Sequence, residues 1–190
     1  MVHRFAAPRP SRATYLLMVV ALLVAAAPAA RVTGAQQDVP QSSLVDAKAL
    51  LRDLQVLSAD DMEGRQVGTP GGEKARAFVV QRFKESGIAP IGDTYVTPFP
   101  FTGRGTPAER PAANVIGRID GTGKTGRYIV ITAHYDHIGM RNGQVFNGAD
   151  DNASGTAALF ALGKYFSANR PANSLIFAAL DGEEAGLRGA

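Results

Sequence analysis

The chain contains no cysteine in 190 residues. That excludes a disulfide scaffold, a zinc finger, a thiol enzyme and a lipid-anchored lipoprotein cysteine. It also lacks the charge excess that its composition suggests. The formal net charge of +3 draws attention to nucleic acid, but residues 1–35 hold Arg4, Arg9, Arg12 and Arg31 and no acid, leaving 16 basic against 17 acidic residues in 36–190. The body of the protein is nearly neutral, so no nucleic-acid partner is expected. A membrane-spanning run is missing as well. The apolar stretch from Tyr15 to Ala27 has 13 residues, short of the roughly 20 that cross a bilayer. Three arginines precede it and Ala27-Pro28-Ala29 follows, with Thr33-Gly34-Ala35 a later cleavage candidate, so it reads as a secretory signal. The expectation is export to a periplasm or beyond without a stable membrane anchor. Residues 1–35 are then a signal peptide, 36–42 a polar linker, and 43–190 part of one catalytic domain.

Helices and buried strands alternate along that domain. Ser43 is placed to cap a helix with Ala47, Leu50, Leu51 and Leu54 at i, i+3, i+4 and i+7. A second helix is expected from near Gly71, with Ala75, Phe78, Val79 and Phe83 on one face and a stop at Gly87. Short strands follow around Thr94–Phe99 and Asn114–Ile119. Tyr128 to Thr132 is largely β-branched and predicts a strand buried on both faces. Ala153, Ala157, Phe160, Ala161 and Tyr165 mark a third helix, and Ser174–Leu180 another buried strand. There is no internal repeat. The pattern predicts an α/β fold, a mixed and largely parallel sheet flanked by helices.

Gly121-Thr122-Gly123-Lys124-Thr125 resembles the end of a phosphate-binding loop, but the position of its first glycine is Arg118 and a strand, not a helix, follows. A hairpin turn between two strands is expected there. The chemistry gathers at three other places. Only two histidines follow the leader, and both stand just past a strand, in Ala133-His134-Tyr135-Asp136-His137. Sites in open α/β sheets form at the carboxyl ends of strands. Alternate residues of an extended chain face one way, so His134 and Asp136 can share a pocket, the carboxylate holding the metal-binding tautomer of the imidazole. Gly148-Ala149-Asp150-Asp151-Asn152-Ala153-Ser154-Gly155 precedes the third helix. Capping needs one such side chain, and a surplus carboxylate can hold a cation. Asp181-Gly182-Glu183-Glu184 follows the last strand. Adjacent glutamates repel unless a cation or proton separates them; one can ligate metal while its neighbour takes a proton from water. Together the three segments point to a metal site.

These motifs resemble the secreted co-catalytic zinc aminopeptidases, the family of bacterial leucyl aminopeptidases and aminopeptidase Y, with glutamate carboxypeptidase and glutaminyl cyclase as more distant relatives. The likeness runs from about Ser43 to the end, through "DMEGRQVGTPGGEKARAFV" (61–79), "NVIGRIDG" (114–121), "ITAHYDHIG" (131–139), "GADDNASGTAAL" (148–159) and "ALDGEEAGLRGA" (179–190). It implies a zinc-peptidase, phosphorylase/hydrolase-like fold, two zinc ions and a peptide substrate. Carried onto these residues, His134 is a ligand of one zinc, Glu184 of the other, and Asp151 bridges both. Glu183 is the general base and Asp136 orients the His134 ring, whereas Asp150 and His137 take no ligand role. The resemblance also implies a cis bond between Asp151 and Asn152. The reaction implied is removal of N-terminal residues, with zinc polarising the scissile carbonyl and acidifying water. Glutaminyl-cyclase-like acyl transfer, or a non-catalytic binding ectodomain on the same fold, are the alternatives. Two further ligands, an Asp and a His, are implied after Glu184, yet no His follows His137 and no Asp follows Asp181. The expectation is therefore an N-terminal part of a longer enzyme, nearly inactive alone and exposing apolar surface at its sheet.

Overall fold

Helix α1, Ala47–Leu57, starts at Asp46, whose carboxylate accepts the N–H groups of Lys48 and Ala49, both at 3.0 Å. Such an acceptor satisfies the free amides of a first turn, so Asp46 rather than Ser43 caps this helix. In this computed structural model residues 44–103 and 109–190 are described; the expected leader, the linker and Ser43 lie outside them. The inner face of α1 carries Asp53 and Leu57, while Leu51 stays 52% exposed. An ion pair accounts for the rotation, since Asp53 lies 2.8 Å from Arg82 of the next helix.

Helix α2, Pro70–Glu85, is capped by Thr69 and opens on a proline, where no N–H donor is needed. Its Ala75, Val79 and Phe83 are fully buried, as their spacing predicts, and Phe78 packs partly buried on the same core. Helix α3, Ser154–Ala168, buries Thr156, Ala157, Leu159 and Phe160. Phe83 and Phe160 meet edge to face at 6.1 Å between centroids, and each contributes roughly 1.5–3 kcal/mol by leaving water.

Five strands form one sheet. β1 (Ala89–Pro90) and β2 (Val96–Phe99) pair antiparallel with β3 (Ala112–Ile119). A small hairpin of β5 (Met140–Arg141) and β6 (Gln144–Val145) stands apart from it. β7 (Ser174–Leu180) lies between β3, antiparallel to it, and β4 (Tyr128–His134), parallel to it. The sheet is mixed and flanked by helices, as expected, and its parallel pairing among the described residues is β4 with β7.

Two further expectations are corrected. The Gly121–Thr125 turn is not a hairpin between paired neighbours, because β7 separates β3 from β4. The turn wraps the start of β7, with Thr122 N–H donating to Pro171 O at 2.8 Å and Gly123 N–H to Ala172 O at 3.0 Å. Nor is β4 buried on both faces: Tyr128, Ile129 and Val130 are 61%, 48% and 58% exposed. β4 is an edge strand of the described sheet, which leaves these three side chains exposed. Among the described residues no helix is long and apolar enough to cross a membrane.

Candidate metal centre

β4 and β7 run parallel with His134 opposite Leu180, so the chain leaves both strands at one end of the sheet. Tyr135 N–H donates to Leu180 O at 2.9 Å, which carries the pairing one residue further. Segments 134–137 and 181–184 are thereby delivered side by side. The third segment arrives on α3, whose Thr156 hydroxyl donates to the His134 carbonyl at 2.9 Å.

His134 Nε2 lies 3.0 Å from Asp151 Oδ1 and 4.0 Å from Glu183 Oε2. On the other side of the ring, Nδ1 is 3.2 Å from the Asp136 carbonyl oxygen and 3.6 Å from Asp136 Oδ1. Asp136 is fully buried, and its two carboxylate oxygens accept the main-chain N–H groups of Glu183 at 3.1 Å and Glu184 at 3.2 Å. One carboxylate thus faces the imidazole of one motif and fixes the backbone of another. That carboxylate raises the His134 pKa to about 9 despite partial burial.

Within Gly148–Gly155 the capping and clustering tasks fall to different residues. Asn152 Oδ1 accepts the Gly155 N–H at 2.9 Å, which leaves Asp151 turned toward His134. The Asp151–Asn152 bond is cis, as the resemblance implies. Asp150 is exposed and its carbonyl accepts the Ser154 hydroxyl at 2.8 Å. The adjacent glutamates diverge: Glu183 faces His134, whereas Glu184 Oε1 accepts from His137 Nδ1 at 2.7 Å. His137, read from sequence as without a ligand role, is therefore inside the cluster. Donor atoms of His137, Asp151 and Glu184 all lie within 4.8 Å of one another. Imidazole nitrogen and carboxylate oxygen are the donors zinc takes, and four carboxylates crowd two imidazoles here, a balance that a divalent cation relieves. The residues fit a zinc site.

No sequence pattern marks Arg65, yet the structure makes it central. It is fully buried. Its Nε donates to Tyr135 O at 2.8 Å, Nη2 to Gly148 O at 2.9 Å, and Nη1 to both Asn147 O, at 2.6 Å, and Leu57 O. One guanidinium thereby ties α1 to the segment after β4 and to the turn before Asp151. Burial lowers its pKa to about 10, opposed by the charges of Asp136, Asp151 and Glu184. Arg65 closes a left-handed turn in which Glu63, Gly64 and Arg65 have φ of 52°, 67° and 50°. A Cβ on Gly64 would lie 2.5 Å from the Gly139 carbonyl, so glycine is required for this turn to dock on residues 137–139. The only signal for Arg65 is its place in the family-like segment 61–79. Beside Glu184 opens a pocket of about 630 Å³, walled by Val67, Phe101, Ile138, Arg110, Arg141 and Arg188 among others.

Residues 114–190 match peptidase family M28. A probable zinc metalloprotease of Pyricularia oryzae is 37% identical over 83 residues, 40% of this chain and 16% of that protein. Among solved structures, an Acidobacteriales bacterium glutaminyl cyclase has a TM-score of 0.57 at 30% identity, covering 77% of this chain and 47% of that one. A Zn-dependent exopeptidase from Parabacteroides distasonis has a TM-score of 0.59 at 18% identity over 73% and 47% of the two chains, a likeness of fold. The chain spans about half the length of these two structures and less than a fifth of the curated relative. All three clustered segments fall within residues 114–190, the stretch that matches peptidase family M28.

Proposed function

We propose that the chain supplies the metal-binding and proton-transfer groups of a zinc-dependent exopeptidase that removes N-terminal residues from peptides, exported by its 1–35 leader. The observation that carries this reading is the 3.0 Å approach of His134 Nε2 to Asp151 Oδ1 with Glu183 Oε2 at 4.0 Å. It is a ligand-type pair with a free carboxylate beside it. The Pyricularia oryzae relative, a probable zinc metalloprotease, supports zinc as the metal. His134, Asp151 and Glu184 would hold two ions, with Asp151 shared. Zinc, when bound, polarises a carbonyl and acidifies water.

The rest is done by this chain's own side chains. Glu183, 36% exposed at its side chain, takes the proton of the attacking water at Oε2 and returns it to the leaving amine. Asp136 holds the Glu183 main chain, which keeps that base beside His134. The Asp136 carbonyl accepts the His134 Nδ1 proton, so Nε2 is the nitrogen turned to Asp151. The test is hydrolysis of leucine p-nitroanilide by the full-length protein, with zinc stripped and restored; activity that survives stripping overturns the reading. Glutaminyl-cyclase-type acyl transfer is the second reading, favoured by the 30% identity to the Acidobacteriales enzyme. It predicts ammonia release from peptides with N-terminal Gln and no free amino acid.

A further inference from the structure

His137 is the one member of the cluster to which the proposed chemistry gives no task. Its Nδ1 sits 2.7 Å from Glu184 Oε1, and the two side chains are only 12% and 23% exposed. The carboxylate can only accept, so Nδ1 carries the proton. Their separation of 2.7 Å is that of a charge-assisted hydrogen bond.

The main-chain N–H of His137 donates to the Arg65 carbonyl at 3.2 Å, which fixes the backbone that carries the ring. Gly148 approaches the ring so closely that a Cβ there would lie 2.6 Å from its Cγ and Cδ2. The imidazole is therefore wedged between the turn leading to Asp151 and the side chain of Glu184. Building on the zinc-peptidase reading above, we propose that His137 is a positioning residue for Glu184. Its Nδ1–H occupies Oε1, which leaves Oε2 as the oxygen for metal and sets the carboxylate's distance from Asp151. A ligating carboxylate needs such a partner as a ligating histidine does, and loss of such partners costs about 10–100-fold in metal affinity.

Three variants separate the possibilities, because Asn carries its amide nitrogen two bonds from Cβ, where His carries Nδ1, and Gln carries it one bond further. In the full-length protein, zinc affinity is measured for each bound equivalent by competition with a chromophoric chelator, alongside Tm of the zinc-free form. H137A and H137Q are expected to weaken one equivalent about 10–100-fold, and H137N to stay within about threefold of the parent. Equal loss in all three would overturn the proposal in favour of direct ligation by the imidazole. Unchanged zinc affinity in all three, with only Tm lowered, would overturn it in favour of packing alone. A parent protein that binds no zinc would overturn the reading on which it rests, and this proposal with it.

Discussion

Replacing Asp136 by Asn keeps the shape of a fully buried side chain and removes its charge. Both native oxygens accept main-chain N–H groups, at 3.1 Å from Glu183 and 3.2 Å from Glu184, while His134 Nδ1 stands 3.6 Å from Oδ1. An amide offers one carbonyl oxygen, and its NH2 would face one of those donors. One main-chain N–H therefore loses its partner and the other bonds to a neutral acceptor. An unsatisfied buried donor costs about 1–3 kcal/mol, and a charged acceptor is worth about 1 kcal/mol more than a neutral one. The expected loss is on the order of 2–4 kcal/mol in the zinc-free protein, read as a lower urea midpoint at unchanged m-value. The same substitution removes the largest cause of the high His134 pKa, which stands at about 9 against 6.5 in the unfolded chain. A base raised in the folded state contributes stability that is fully present below about pH 6.5 and is lost as pH rises through about 9. The parent should therefore lose stability across that window in EDTA, and D136N should show a flatter profile. A variant within about 0.5 kcal/mol of the parent, with the same slope, would refute the claim that this carboxylate joins the two motifs.

Arg65→Met removes the shared donor of four carbonyls and should cost about 3–5 kcal/mol; Arg65→Lys should recover only part, since one ammonium cannot span them, and equilibrium unfolding measures both. Glu183→Gln in the zinc-loaded full-length protein should lower kcat by about 10²–10⁴ with zinc content unchanged; zinc lost in parallel would move Glu183 among the ligands. Asn152→Ala should cost about 1 kcal/mol through the lost acceptor at the start of α3, whereas Asn152→Asp should retain most of it, and hydrogen exchange at the Gly155 amide reports which occurs.

The segments that were legible are those where one local rule acts without competition. Ser174–Leu180 is an apolar run bounded by turn residues, and β7 occupies those limits, because a strand flanked on both sides by neighbours has only burial to satisfy. Ala75, Val79 and Phe83 fall on the inner face of α2 because nothing in that helix opposes their period. In α1 something does. Asp53 pairs with Arg82 across 29 positions of sequence, and the pair turns the helix so that Leu51 faces solvent. Apolar spacing cannot report a partner that lies on another element.

The same limit divides the metal centre. His134, Asp151, Glu183 and Glu184 could be singled out because each sits in a short polar segment beside a strand or helix end, where a local excess of ligand-type side chains is visible in the chain itself. Arg65 could not be singled out, and His137, noticed beside His134, received no task, because their importance consists of contacts with segments far away: Arg65 with residues 135, 147 and 148, His137 with Glu184. Arg65 and Asp136 act on the cluster from behind. Arg65 holds the backbone that presents His134 and Asp151, and Asp136 holds the backbone that presents Glu183 and Glu184. A buried cation and a buried anion thus set the two halves of one site through carbonyl and amide groups that every residue possesses. Since those groups carry no side-chain identity, substitution at the contacted position 147 leaves the main-chain half of its bond in place, whereas loss of Arg65 or Asp136 removes several such bonds at once.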